Sequence, residues 1–241
     1  MTNPSSSSLK AVAAVERIPL ILERLGRTTR RPVHARRTKP LDSLMLTVLS
    51  QNTTDANSGR AFEQLTARFP TWEAVLKAPA GALADTTRSG GLAEIKSGRI
   101  KQILARIEED RGKLDLGFLK RMPIGEVRDY LLRLPGVGRK TAAVVMLFSL
   151  GMPAFPVDTH VLRVSKRLGL IPPGATMDKA HDLFEGMVSP EIVSDLHLGL
   201  IRHGRTVCVA RRTKCPECAL LDLCPRVGVA GVSQERGRRS R

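Results

Sequence analysis

Aromatic residues make up only 3% of this 241-residue chain, which leaves little for ring stacking against a ligand. No run of about 18 apolar residues occurs, so a membrane-spanning helix is not expected. The opening MTNPSSSSLK lacks the apolar centre of a secretory signal. These absences together lead us to expect a soluble protein of the cytoplasm. No segment alternates apolar and polar residues over a convincing length, which argues against a sheet protein, and no stretch repeats at a solenoid period. Acidic residues are short as well: 23 Asp and Glu stand against 39 Lys and Arg, a formal charge of +16. Such a surface attracts polyanions over long range and gains from counterion release. Nucleic acid therefore leads the partner classes, ahead of ribosomal surfaces and anionic membranes.

Cysteine is confined to one place. All four lie between Cys208 and Cys224, where disulfides could staple only that segment and would leave the rest of the chain unconstrained. A metal site explains the clustering better.

What the chain does have is helical periodicity. With 42% hydrophobic residues it can bury one large core or two modest ones. A helix is expected from Pro19 through Ile21, Leu22 and Leu25 to a stop near Gly26, followed by a basic connector from Arg30 to Lys39. Further helical patterns run over Leu41 to Ser50, Ser58 to Arg68, Trp72 to Leu76, Ile95 to Glu109, Ile124 to Leu134, Lys140 to Leu150, Val161 to Leu168, Met177 to Met187 and Ile192 to His203. The class is all-α. Residues 1–8 are Ser-rich and residues 229–241 end in QERGRRSR, so both ends read as disordered, the second as a basic tail.

Within this frame, Leu134-Pro135-Gly136-Val137-Gly138-Arg139-Lys140 sets two glycines just before a new helix. Backbone N–H groups there can approach an anion at the helix's positive end. With Tyr130 to Leu134 as the helix before it, the segment reads as a helix–hairpin–helix, which holds a DNA backbone without reading bases. Lys140 falls in the first turn of the second helix, where the helix dipole disfavours a cation. Near other cations such as Arg139, and partly buried, its amine would lose its proton more readily and become a nucleophile; a plain phosphate contact is the simpler reading of the local sequence.

Downstream, Phe155-Pro156-Val157-Asp158-Thr159-His160 places an acid at the N-cap of the next helix. Asp158 reads first as a cap. If it shares a cleft with Lys140, its carboxylate can also stabilise a sugar cation as a base departs. His160 either contacts DNA or packs.

The cysteines follow the spacing Cys208-x6-Cys215-x2-Cys218-x5-Cys224, four thiolates in one compact loop, as a cubane iron–sulfur cluster requires. The spacing alone leaves zinc open, although a zinc ribbon usually brings two Cys-x2-Cys knuckles. Arg211, Arg212 and Lys214, between the first two ligands, would present positive charge to phosphates.

LPGVGRKTA, then VDTH, then the four cysteines, in that order, resemble the endonuclease III family of helix–hairpin–helix DNA glycosylases. The similarity runs from about Arg31 to Pro225 and takes in Leu49-Ser50-Gln51-Asn52-Thr53-Thr54-Asp55 and Gly91-Leu92. The resemblance implies two domains: a six-helix barrel over 33–152 carrying the hairpin, and an iron–sulfur domain made of 9–32 with 153–228. It implies a [4Fe–4S] cluster on Cys208, Cys215, Cys218 and Cys224, and duplex DNA with damaged bases or abasic sites as partner, bound by a monomer that is nucleoid-associated if bacterial.

The resemblance also implies the reaction. An oxidised pyrimidine is flipped out, Lys140 attacks the sugar with Asp158 assisting, and the Schiff base undergoes β-elimination. Gly136, Val137, Gly138 and Arg139 would seat a phosphate, the Gln51–Asn52 pair would fill the gap left by the base, and Leu92 would act as a wedge, with Ala93 after it where the family often has an aromatic. A monofunctional mismatch or adenine glycosylase is the nearest alternative, but such branches usually carry Ser or Tyr in place of Lys140. A DNA-binding iron–sulfur protein with weak catalysis is a more distant one.

Overall fold

The computed structural model describes residues 6–26 and 39–229, with side chains from Ala14 onward. Most of the connector expected over Arg30 to Lys39, and the basic tail from residue 230, lie outside the described residues. Within them the protein is built from α-helices and short 3-10 turns, and no strand occurs. No described helix is long and apolar enough to cross a membrane. The chain divides into two compact units, Arg30–Pro156 and Met1–Thr29 with Val157–Arg241.

The Arg30–Pro156 unit is organised on α2 (Pro40–Leu49), which starts with Pro at its first position and buries all but one of its residues. A helix apolar on every side belongs in the middle of a core. Around it come α3 (Asp55–Arg68), α4 (Trp72–Lys77), α5 (Ala80–Thr87), α6 (Ala93–Arg111), α7 (Ile124–Arg133) and α8 (Arg139–Ser149). Leu44, Met45 and Val48 of α2, Leu65 of α3, Leu83 of α5, Ile100, Ile103 and Leu104 of α6, Leu131 of α7 and Val145 of α8 are fully buried in one cluster. Each such side chain contributes about 1.5–3 kcal/mol by leaving water. Six of these helices have eight or more residues, and α4 adds a short turn and a half.

Three differences from the sequence expectation have clear causes. Helix α3 begins at Asp55, not Ser58, because the Thr54 hydroxyl accepts a hydrogen bond from the Asn57 N–H at 3.3 Å and caps the earlier turn. Helix α5, AGALADTT, was not expected because its inward residues include small Ala84 and the polar Thr86 and Thr87; such a face carries no apolar periodicity. Helix α6 begins at Ala93, two residues before Ile95, after Leu92 turns left-handed at φ 51°.

The second unit joins the N-terminal helix α1 (Ser6–Leu25) to α9 (Thr159–Arg167), α10 (Met177–Met187), α11 (Val193–Thr206) and the cysteine segment. Helix α1 does not start at Pro19. It begins at Ser6, within the stretch expected to be disordered, and runs through the proline. Ala14, Ile18, Ile21, Leu22 and Leu25 form one buried stripe that continues across Pro19, and burying it outweighs the roughly 3 kcal/mol that an interior proline costs. Arginines then fasten α1 to the end of the chain. Arg17 donates to the carbonyls of Leu168 at 3.1 Å, Gly169 at 3.2 Å and Leu223 at 3.0 Å. Arg24 pairs with Asp222 at 3.2 Å, and Arg202 of α11 donates to the Leu25 carbonyl.

Candidate functional site

The hairpin between α7 and α8 is closed by a hydrogen bond from the Val137 N–H to the Leu134 carbonyl at 3.1 Å. Gly136 sits at φ +71°, a conformation that side chains rarely adopt. Gly138, the N-cap of α8, has extended backbone, and no side chain caps the helix. A Cβ placed on Gly138 would meet nothing within 4 Å. The glycine therefore leaves space in front of backbone N–H groups at a helix N-terminus, which suits an anion. The first turn of α8 contains no acid and carries Arg139 and Lys140, both half-buried. Val137 does not offer its side chain: it is 6% exposed and part of the core cluster, so only its backbone is available to a ligand.

A second pair of features in the same unit sits on α6. Lys96 is 2% exposed, and its ammonium donates to the carbonyls of Leu49 and Gly90, each at 2.7 Å. Burial pulls its pKa below the usual lysine value. One buried cation thus holds the end of α2 and the turn before Leu92. One turn further along, Arg99 donates to the Gln51 side-chain oxygen at 2.7 Å. Asn52 follows in the left-handed region at φ 54° and is exposed. Leu92 is 53% exposed, so it does not serve as core packing. Sequence reasoning missed both Lys96 and Arg99, whose partners lie up to 48 residues away.

In the other unit, Asp158 is the N-cap of α9 and its Oδ1 accepts from the Val161 N–H at 2.7 Å. His160 Nδ1 lies 3.2 Å from the Arg163 guanidinium. Arg163 also donates to the Gly204 carbonyl at 2.8 Å and the Cys208 carbonyl at 3.2 Å. Arg167, one turn on, donates to the carbonyls of Val209 at 2.8 Å and Ala210 at 3.0 Å. Two arginines spaced four apart on α9 therefore hold the start of the cysteine segment, a role for which the spacing was the available signal. Beyond it Arg211, Arg212 and Lys214 are exposed. Lys140 and Asp158 belong to different units.

Cys208, Cys215, Cys218 and Cys224 are all free thiols and line one cavity with Val164, Leu168 and His203. Burial, and then the neighbouring cysteines, push the Cys218 and Cys224 thiols up. Four thiolates gathered there need metal cations to offset their charge. Donors already point at the sulfurs: the Leu220 N–H to Cys218 at 3.4 Å, the Arg226 N–H to Cys224 at 3.4 Å, and Arg167 to Cys208 at 3.3 Å. Such bonds tune thiolate ligands of iron–sulfur clusters. Among the described residues no three His, Cys, Asp or Glu side chains are gathered so as to hold a single metal ion. The four cysteines nonetheless line the same cavity.

The chain is similar to proteins of one family. Residues 45–190 match the HhH-GPD superfamily of base excision DNA repair proteins. A putative DNA glycosylase of Arabidopsis thaliana is 39% identical over 191 residues, covering 78% of this chain and 65% of its own length. Endonuclease III of Bacillus subtilis is 37% identical over 188 residues, covering 77% of this chain and 80% of its own. A solved structure of a trapped endonuclease III–DNA covalent intermediate superposes with a TM-score of 0.75 at 31% identity, over 88% of this chain and 96% of that one. The chain belongs to the HhH-GPD superfamily of base excision DNA repair proteins, within its endonuclease III family.

Proposed function

We propose that the DNA glycosylase and AP lyase reactions of the endonuclease III family are carried in this chain by Lys140 and Asp158, acting on one sugar of a duplex seated on the Gly136–Arg139 hairpin. The observation that carries the reading is the hairpin itself: an open Gly138 at an uncapped helix N-terminus, with Lys140 in the turn that follows. Phosphate held there by backbone N–H groups brings a deoxyribose within range of the amine.

Deprotonated Lys140 Nζ forms a bond to C1′ as the N-glycosidic bond breaks and the base leaves with its electron pair, taking up a proton. The Asp158 carboxylate stabilises the positive charge on the sugar and accepts the proton that the amine releases. That proton passes to O4′ as the C1′–O4′ bond breaks and the nitrogen lone pair forms C1′=N, and the resulting protonated Schiff base loses a C2′ proton and expels the 3′ phosphate with the electron pair of the C3′–O bond, which nicks the strand. Oxidised pyrimidines in duplex DNA, flipped from the stack, are the proposed substrates, together with abasic sites.

The family commonly carries an iron–sulfur cluster, and the four cysteines would hold a [4Fe–4S] group here. When bound it supplies a structural tie for the loop that displays Arg211, Arg212 and Lys214. Arg163 and Arg167 position that loop from α9.

The direct test is incubation with a duplex containing thymine glycol, followed by borohydride. A covalent protein–DNA band with strand cleavage is expected from the native chain, and none from Lys140→Ala at retained DNA affinity. Undiminished trapping by Lys140→Ala would remove the nucleophile from this position.

A further inference from the structure

Arg99 sits where two of the proposed DNA-facing segments meet. Its guanidinium covers Gly136 of the hairpin: a Cβ there would lie 2.2 Å from Arg99 Nε and 2.8 Å from its Cζ. The same guanidinium donates to Gln51 Oε1 at 2.7 Å. An arginine has only donors, so the Gln51 amide must turn its oxygen toward Arg99 and its N–H groups away. Both contacts lie within the Arg30–Pro156 unit. The left-handed, exposed Asn52 follows directly.

One turn earlier on α6, Lys96 fixes the Leu49 and Gly90 carbonyls. Two cations of α6 thus hold the chain at Leu49 and at Gln51, just ahead of Asn52. These charges are directed at protein groups.

We infer that Arg99 is a positioning residue: it ties the hairpin turn to the Gln51–Asn52 loop, so that seating a phosphate on the hairpin also sets the loop that meets the damaged site. The inference rests on the DNA-binding reading above and extends it to a residue that the family motifs do not single out. Gly136 is part of the same device, because a Cβ at that position would push the Arg99 side chain out of its present place. Lysine in place of Arg99 keeps the charge and loses the planar guanidinium that packs over Gly136 while it donates to Gln51.

The experiment measures binding to two duplexes, one with a tetrahydrofuran abasic analogue and one undamaged, over a range of salt. Neither requires turnover. Arg99→Ala and Arg99→Lys are expected to lose about tenfold of the preference for the abasic duplex, with the salt dependence on undamaged DNA unchanged. Gln51→Ala should lose a similar factor, and the Arg99→Ala, Gln51→Ala double variant little more, because the two residues act as one unit. Equal weakening on both duplexes, with the slope of log K against log salt reduced by about one, would make Arg99 an ordinary phosphate contact and overturn the inference. Additive losses would overturn it as well.

Should Arg99→Ala fail to fold, Arg99→Lys decides alone, and full retention of the preference rejects the positioning role. A native protein that binds neither duplex rejects the DNA reading itself. Native binding with Arg99 variants indistinguishable from it rejects only this inference.

Discussion

Asp158 Oδ1 and the Val161 backbone N–H are 2.7 Å apart, so the carboxylate proposed to act on the sugar is at the same time the cap of α9. The two roles separate by substitution. Asn caps as well as Asp, so Asp158→Asn should leave the unfolding temperature within a degree or two while single-turnover base removal falls by about 100-fold or more. Asp158→Ala should lose the same activity and also about 1 kcal/mol of stability. Parallel kinetics and thermal unfolding of both variants make the check; melting of the Asn variant would leave only the cap.

The exposed cations of the cysteine segment should act through charge alone. Arg211→Ala with Arg212→Ala is expected to lower the slope of log K against log salt by about 0.9 for each phosphate that the arginines no longer neutralise. Affinity for damaged and undamaged duplexes should fall by the same factor. A loss confined to damaged DNA would place these arginines at the lesion instead.

With the proposed cluster on the four cysteines, Cys218→Ser is expected to yield protein with little iron or visible absorbance. A cross-link across a loop of roughly 15 residues stabilises by about 3 kcal/mol, which for a chain of this size corresponds to a fall in unfolding temperature of about 10 °C. Iron analysis of anaerobically purified protein and a thermal melt measure both. Zinc in place of iron, in a protein with unchanged stability, would reject the cluster.

Tyr130 is 5% exposed, and its hydroxyl has no partner among the described residues. Its ring stands edge-on to Phe118 at 5.3 Å, an arrangement that Phe keeps. Tyr130→Phe is therefore expected to match the native stability or exceed it by about 1 kcal/mol near neutral pH. Burial, and then Asp110, push the Tyr130 hydroxyl up from its ordinary value. The folded chain thus keeps this proton after the unfolded chain has released it. The stability linked to this group is full below the unfolded pKa of about 10 and is lost as pH rises toward the folded value. Tyr130 is the single tyrosine, so urea titrations of the two proteins above pH 10 isolate it: the native chain should weaken more steeply.

Much of this was legible locally. The hairpin glycines, Lys140, the Asp158 cap and the cysteine spacing are short-range patterns, and their backbone settings follow from nearby residues. Helix α5 was not legible, since Ala84, Thr86 and Thr87 bury polar or small groups that leave no stripe to read. The start of α1 was misplaced because a proline signals a beginning locally, while the stripe that carries the helix past it is satisfied only by distant partners. Lys96 and Arg99 carry no local signal of their roles. Their partners, Leu49 and Gln51, are 47 and 48 residues away, beyond any local pattern.

The arginine hydrogen bonds that fasten α1 to Leu168, Gly169 and Leu223 also impose an order on synthesis. The segment from Arg30 to Pro156 holds a core of its own and is synthesised before α9 to α11. During that interval the stripe of Ile18, Ile21, Leu22 and Leu25 has nothing to cover it. Helix α1 therefore docks only after segments made much later exist, and a chain cut short before them leaves its apolar stripe uncovered.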